Sequence, residues 1–221
     1  PLNFSKKNRI SSVAKSYKKF PLYSAPGGLL NTIANEMPLF FILNFFGSSV
    51  VGAYGLAIRI LNIPLSLISN SMYQVLFREI SALDRKNPDL LKKFITKNFF
   101  ILFLSTLPLV FIIFFLGEPL FNFIFGKEWS LSGQFSSLLI FSVAIKFIIY
   151  PLDGVLSLER NVNKGFYWQF LYFITLITLL GFLSIKNISP IVFLKYLIIH
   201  DVILYTIHLF IIFFSVRRIN Q

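Results

Sequence analysis

Ionisable side chains stand inside the long apolar runs of this sequence: Glu36, Arg59, Lys146, Asp153, Lys195, His200, Asp201 and His208. At the centre of a membrane helix an Arg, Lys or Asp costs about 2.5–3.5 kcal/mol, while each Leu, Ile or Phe returns only about 0.3–0.6 kcal/mol. One central charge thus cancels about six apolar residues. Such charges are expected to face a partner or a water-filled cavity. The chemistry open to them is ion binding, mutual neutralisation and proton transfer.

Spacing sorts these residues into faces. At 100° per residue, Gly52, Gly55, Asn62, Ser66, Asn70 and Tyr73 all fall within about 60° of Arg59. Ser69 lies slightly outside that sector, and most of the other positions are Leu, Ile, Val and Ala. Arg59, Asn62, Asn70 and Tyr73 are therefore candidate substrate-binding residues of a cavity. The competing reading for Gly52, Gly55, Ser66 and Ser69 is helix–helix packing through small residues. Lys146, Tyr150 and Asp153 are spaced i, i+4, i+7 and share a face. Lys146 is a second candidate cation for the cavity, or else half of an internal Lys146–Asp153 bridge. Asp201, Tyr205 and His208 repeat that spacing, as a satisfied network or a proton-linked site. Glu36 follows Thr32 by one turn and is suited either to pairing with Arg59 or to carrying a cation or proton. Glu36, Asp153 and Asp201 are the candidate coupling or counter-charges. Lys195 is expected to snorkel to the interface.

Motifs for covalent chemistry are absent. The sequence holds no HExxH, no GxSxG, no glycine-rich phosphate loop and no cysteine. The two histidines make a poor metal site. No nucleophile is paired with a base. The expectation is a transport element without metal or cofactor, and not an enzyme.

The elements that position these charges follow from composition. Apolar residues make up 56% of the 221 positions and charged residues 14%. A globular domain is about 45–50% apolar and about 25% charged, and a soluble fold of this size cannot hide the excess. The class is all-α, a polytopic transmembrane helical bundle. Six spans are expected: 26–46, 50–83 with a bend at Pro64, 94–116, 131–156 with Pro151 late in it, 166–185 and 191–216. Asn87, Pro88 and Asp89 form a helix-start signal. The segment 119–129 is too short to span and reads as an interfacial turn of helix.

Lys and Arg gather in alternate connections. Lys6, Lys7, Arg9, Lys15, Lys18 and Lys19 precede the first span; Arg85, Lys86, Lys92, Lys93 and Lys97 follow the second; Arg160 and Lys164 follow the fourth; Arg217 and Arg218 end the chain. The opposite loops hold only Lys127 and Lys186. This asymmetry predicts an even number of spans with both ends cytoplasmic. The net charge of +12 then points to anionic membrane lipids as partners, and not to nucleic acid. Residues 1–25 read as a basic cytoplasmic linker and 26–221 as the bundle. A polar start at Pro1 without a signal peptide reads as a chain cut from something longer.

One stretch carries a recognisable pattern. It comprises FP-x-YS-x-P at Phe20–Pro26, LLN at Leu29–Asn31, FFG-x-x-x-VG-x-Y-x-L-A-x-R from Phe45 to Arg59, PLSLI at Pro64–Ile68 and Q-V-x-F at Gln74–Phe77. It resembles the start of the C-terminal half of bacterial polysaccharide flippases, the Wzx-type oligosaccharide translocases of the superfamily that includes the multidrug and toxin extrusion (MATE) transporters. The resemblance covers a little over a quarter of the chain. It implies two homologous six-helix bundles around a central cavity in the bacterial inner membrane. It further implies alternating access, a polyprenyl-pyrophosphate-linked oligosaccharide as substrate, and polysaccharide polymerase machinery as a partner. Arg59 matches an arginine common at this place in the family, whereas Glu36 sits where Gln is more usual. The main alternative is a MATE-like, cation-coupled exporter of drugs or metabolites; a membrane enzyme of surface-polymer assembly and a binding-only scaffold fit less of the pattern.

Overall fold

A computed structural model describes residues 18–216. The basic residues Lys6, Lys7, Arg9 and Lys15 and the pair Arg217 and Arg218 lie outside the described residues. Among the described residues every regular element is helical. Five helices among these residues are long and apolar enough to cross a membrane, and the first of them runs 65 residues from Phe20 to Asp84.

That first helix is two arms. Gly47 adopts φ +82° and ψ −179° inside it, a backbone region closed to residues with a Cβ. Contacts along the arms show that the chain reverses there. Tyr23 packs on Phe166 at 5.7 Å, and Phe46 packs edge-on against Phe193 at 5.4 Å. On the return, Tyr73 Oη donates to Ser157 Oγ at 2.9 Å and Asp84 pairs with Arg160 at 2.5 Å. The chain thus leaves the end where Arg160 and Phe166 lie, reaches the start of the last helix, and comes back. We number the arms α1 (25–46) and α2 (48–86), followed by α3 (Pro88–Phe125), α4 (Ser130–Ile149), α5 (Val162–Ser184) and α6 (Pro190–Val216). This folding back brings the passages to about six, in line with the hydropathy reading.

Several boundaries differ from the sequence expectations. The first helix begins with a π-helical turn, Phe20–Ser24, inside the stretch assigned to the linker. The backbone of α2 keeps helical φ and ψ through Pro64, and the chain turns sharply at Gly47, within the connection expected between the first two spans. Proline frees one carbonyl and adds bulk; neighbouring groups in a packed bundle absorb that, whereas φ +82° ends a helix outright. The segment from Pro119 is the last part of α3 and not a separate interfacial turn; α3 ends only at Gly126, with φ +95°. A short 3-10 turn, Lys127–Trp129, then leads into α4. Pro151 is not inside α4, because α4 stops at Ile149 and Tyr150–Val155 forms a 3-10 segment. A proline near the end of a helix has no N–H to extend the ladder. Asn87 caps α3 as its sequence signal implies, accepting from the N–H groups of Asp89 and Leu90 at 3.0 and 3.2 Å.

The α3–α4 hairpin is locked by small residues. A Cβ placed on Gly133 would stand 2.5 Å from Glu118 Cα. Only glycine permits that backbone approach, which is how membrane helices gain dispersion energy where lipid cancels the hydrophobic effect. The Glu118 carboxylate accepts from Ser130 Oγ at 2.5 Å and Gln134 Nε2 at 3.1 Å, and Ser137 donates to the Ile113 carbonyl at 3.1 Å. Leu139, Ile140, Val143 and Phe147 of α4 are buried between α2, α3 and α6. α4 is therefore the central helix, and its polar residues are placed at the heart of the bundle.

Candidate functional site

A cavity of about 600 Å³ opens between α1, α2, α4, α5 and α6. Asn31, Asn35 and Glu36 come to it from α1, and Arg59, Asn62 and Asn70 from α2. Glu36 lies eleven residues before Gly47 and Arg59 twelve after it. At 1.5 Å per residue, both charges therefore stand about 16–18 Å from the turn on antiparallel arms. Both side chains are exposed into open space. Among the described residues neither makes an ion pair, so the Glu36–Arg59 pairing considered from sequence is not formed. Gly52 and Gly55 also meet nothing within 4 Å of an added Cβ. Their small size serves no packing contact among the described residues.

The cavity floor is built differently. Lys146 Nζ sits 2.7 Å from Asp201 Oδ2. Ser142 Oγ donates to the same Asp201 oxygen, and Tyr172 Oη donates to Oδ1 at 2.6 Å. Ser142, Tyr172 and Asp201 are all buried, while 30% of the Lys146 side chain remains exposed to the cavity. Tyr205 places its ring 5.4 Å from Lys146 Nζ. A carboxylate in the interior thus has three donors, one of them charged, which offsets most of its desolvation cost. The Lys146–Asp153 bridge considered from sequence is replaced by this Lys146–Asp201 pair. The reason is the end of α4: once the chain turns 3-10 at Tyr150, an i, i+7 spacing from Lys146 no longer keeps Asp153 on the same face.

Asp153 pairs elsewhere. Its Oδ1 lies 2.9 Å from His208 Nε2, and the His208 ring stacks on Trp168 at 3.8 Å between centroids. Asp153 and His208 are not among the residues lining the cavity. Tyr73 is not either; its hydroxyl is committed to Ser157. His200 Nε2 bonds Thr175 Oγ1 at 2.9 Å, and Lys195 is exposed. Of the residues singled out from sequence, the fold brings Glu36, Arg59, Asn62, Asn70, Lys146 and Asp201 to one cavity and leaves Tyr73 and Asp153 behind its wall. Among the described residues no cluster of His, Asp and Glu could hold a metal ion.

A family model described as polysaccharide biosynthesis protein matches residues 3–134. The chain belongs to that family. No curated protein and no solved structure matches it. The matched stretch runs from before α1 to the start of α4, so it contains the arms that carry Glu36, Arg59, Asn62 and Asn70. In this family member the Lys146–Asp201 floor comes from beyond the match. Sequence reading missed Asn31 and Asn35 on α1, although their i, i+4 spacing beside Glu36 is the same signal that marked α2. It also missed Ser142 and Tyr172. No spacing rule could have found those two, because their partner Asp201 lies on another helix.

Proposed function

We propose that this chain is part of a flippase that moves polyprenyl-pyrophosphate-linked oligosaccharide across the bacterial inner membrane, and that it is not an enzyme. Membership of a polysaccharide biosynthesis family supports a role in making or exporting such polymers. The observation that carries the finer reading is Arg59: a guanidinium with no ion pair among the described residues, on the wall of a cavity whose lining mixes asparagines, serines and tyrosines with apolar side chains and the charges of Glu36, Lys146 and Asp201. A guanidinium binds phosphate oxygens through a planar fork of donors, and the low dielectric around the cavity strengthens the contact. Lys146, held by Asp201, adds a compensated charge and not a second free cation. Both chain ends are placed at the cytoplasmic face in this reading, from the Lys and Arg asymmetry. The open polar side of the cavity is covered by a second six-helix bundle, and the two exchange access by rocking against one another.

A second reading, a cation-coupled exporter, draws on Glu36, which is also unpaired in the cavity. The two readings separate on one measurement. Surface polysaccharide is scored in a strain that lacks the full-length transporter and expresses variants of it, with membrane abundance checked by blotting. Arg59→Ala is expected to lose most polysaccharide at normal abundance, and Arg59→Lys to retain part of it. Normal polysaccharide from Arg59→Ala would exclude the pyrophosphate role. Export of an organic cation lost only in Glu36→Gln would favour the second reading.

A further inference from the structure

Tyr150 stands where α4 gives way to the 3-10 segment. The residue is 45% exposed, whereas Pro151, Leu152, Gly154 and Val155 after it are buried. It lines the cavity, and the ring is backed from behind. Tyr73 lies 5.4 Å away, and Tyr73 stacks on Phe77 at 5.8 Å with the planes 3° apart. The Tyr73 hydroxyl is pinned by Ser157. One turn before Tyr73 stands Ser69, which is 5% exposed and lines the cavity, and whose buried hydroxyl has no hydrogen-bond partner. Asn70 lies beside it in sequence and also lines the cavity.

An exposed aromatic face held rigid from behind, with an unsatisfied hydroxyl and an amide on the same cavity wall one turn before Tyr73, matches the chemistry of a pyranose ring. Such a ring has an apolar C–H face that stacks on an aromatic and an edge of hydroxyls that need partners. Arg59 and Asn70 are eleven residues apart, so about 16 Å separates them along α2. That distance lets one elongated ligand reach both. We infer that Tyr150 is the sugar-stacking platform of the cavity, that Ser69 and Asn70 hydrogen-bond the hydroxyls of the stacked pyranose, and that Tyr73 acts as a positioning residue behind the ring. The inference rests on the flippase reading and adds to it the site of the saccharide.

The test uses the full-length protein in lipid nanodiscs and two kinds of probe. One is bare polyprenyl pyrophosphate; the other is the same lipid carrying glucose, galactose or N-acetylglucosamine. The unaltered protein is expected to bind at least one glycosylated lipid about tenfold tighter than the bare lipid, the worth of one good ring contact. Tyr150→Leu is expected to erase that advantage while binding the bare lipid normally, which also reports that it is folded. Tyr150→Phe keeps the advantage. Tyr73→Phe keeps the ring but frees it from Ser157, and is expected to lose part of the advantage that Tyr150→Phe retains. A full advantage in Tyr150→Leu, or equal loss of both lipids, overturns the platform. Equal binding of bare and glycosylated lipids by the unaltered protein overturns the sugar site and leaves the pyrophosphate reading standing. Failure to bind either lipid overturns the flippase reading itself.

Discussion

Replacing Asp201 by alanine tests whether the cavity floor is an electrostatic unit. The change removes a carboxylate that serves Lys146, Tyr172 and Ser142 together. Removing one partner of a buried ion pair costs about 3–5 kcal/mol. Because 30% of the Lys146 side chain is exposed, water in the cavity screens it, and the lower half of that range applies. Tyr172 is 4% exposed, and its orphaned hydroxyl adds about 1–3 kcal/mol. Ser142 can turn its hydroxyl to a backbone carbonyl of its own helix, so its loss is small. The terms overlap, and a total of about 4 kcal/mol is expected. At about 2–4 °C per kcal/mol for a protein of this size, the unfolding midpoint falls by about 10 °C. Thermal unfolding of the detergent-purified full-length protein, followed by size-exclusion fluorescence, reads the shift. The double variant Lys146→Met, Asp201→Leu removes both charges and fills the space, so it is expected to recover most of the loss. A double variant no more stable than Asp201→Ala, or an Asp201→Ala midpoint within 2 °C of the unaltered protein (roughly the shift of a single surface change), would refute the reasoning.

Gly47→Ala forces a Cβ into φ +82°, ψ −179°; a loss of about 1–3 kcal/mol is expected, seen as a midpoint lower by several degrees, and an unchanged midpoint would mean that the turn does not need glycine. Gly133→Ala drives a methyl against the Glu118 backbone and is expected to cost about 1–3 kcal/mol, whereas Gly52→Ala, with nothing within 4 Å, is expected to leave the midpoint of this bundle unchanged. If Gly52→Ala instead proves the more damaging of the two, its face is a packing surface in the full-length protein.

What the sequence determined on its own was the class, the approximate number of passages and the polar face of α2. Each is a one-dimensional signal. Apolar runs longer than about 18 residues admit few alternatives in lipid, and a 3.6-residue period reports a face without reference to any other helix. The Asn87 cap belongs with these, because its partners are its own neighbours, Asp89 and Leu90. The tertiary structure decided which charges meet. Lys146 and Asp153 share a face only while the helix continues, and the chain leaves α-helix at Tyr150. Lys146 then pairs with Asp201 from α6, and Asp153 with His208. Tyr73 has the right angle on α2 but sits where the 3-10 segment covers it, so Tyr150 takes the cavity in its place. A helix face is local geometry and can be read from one segment. A partner across the bundle depends on the depth at which two helices cross, and no single segment carries that.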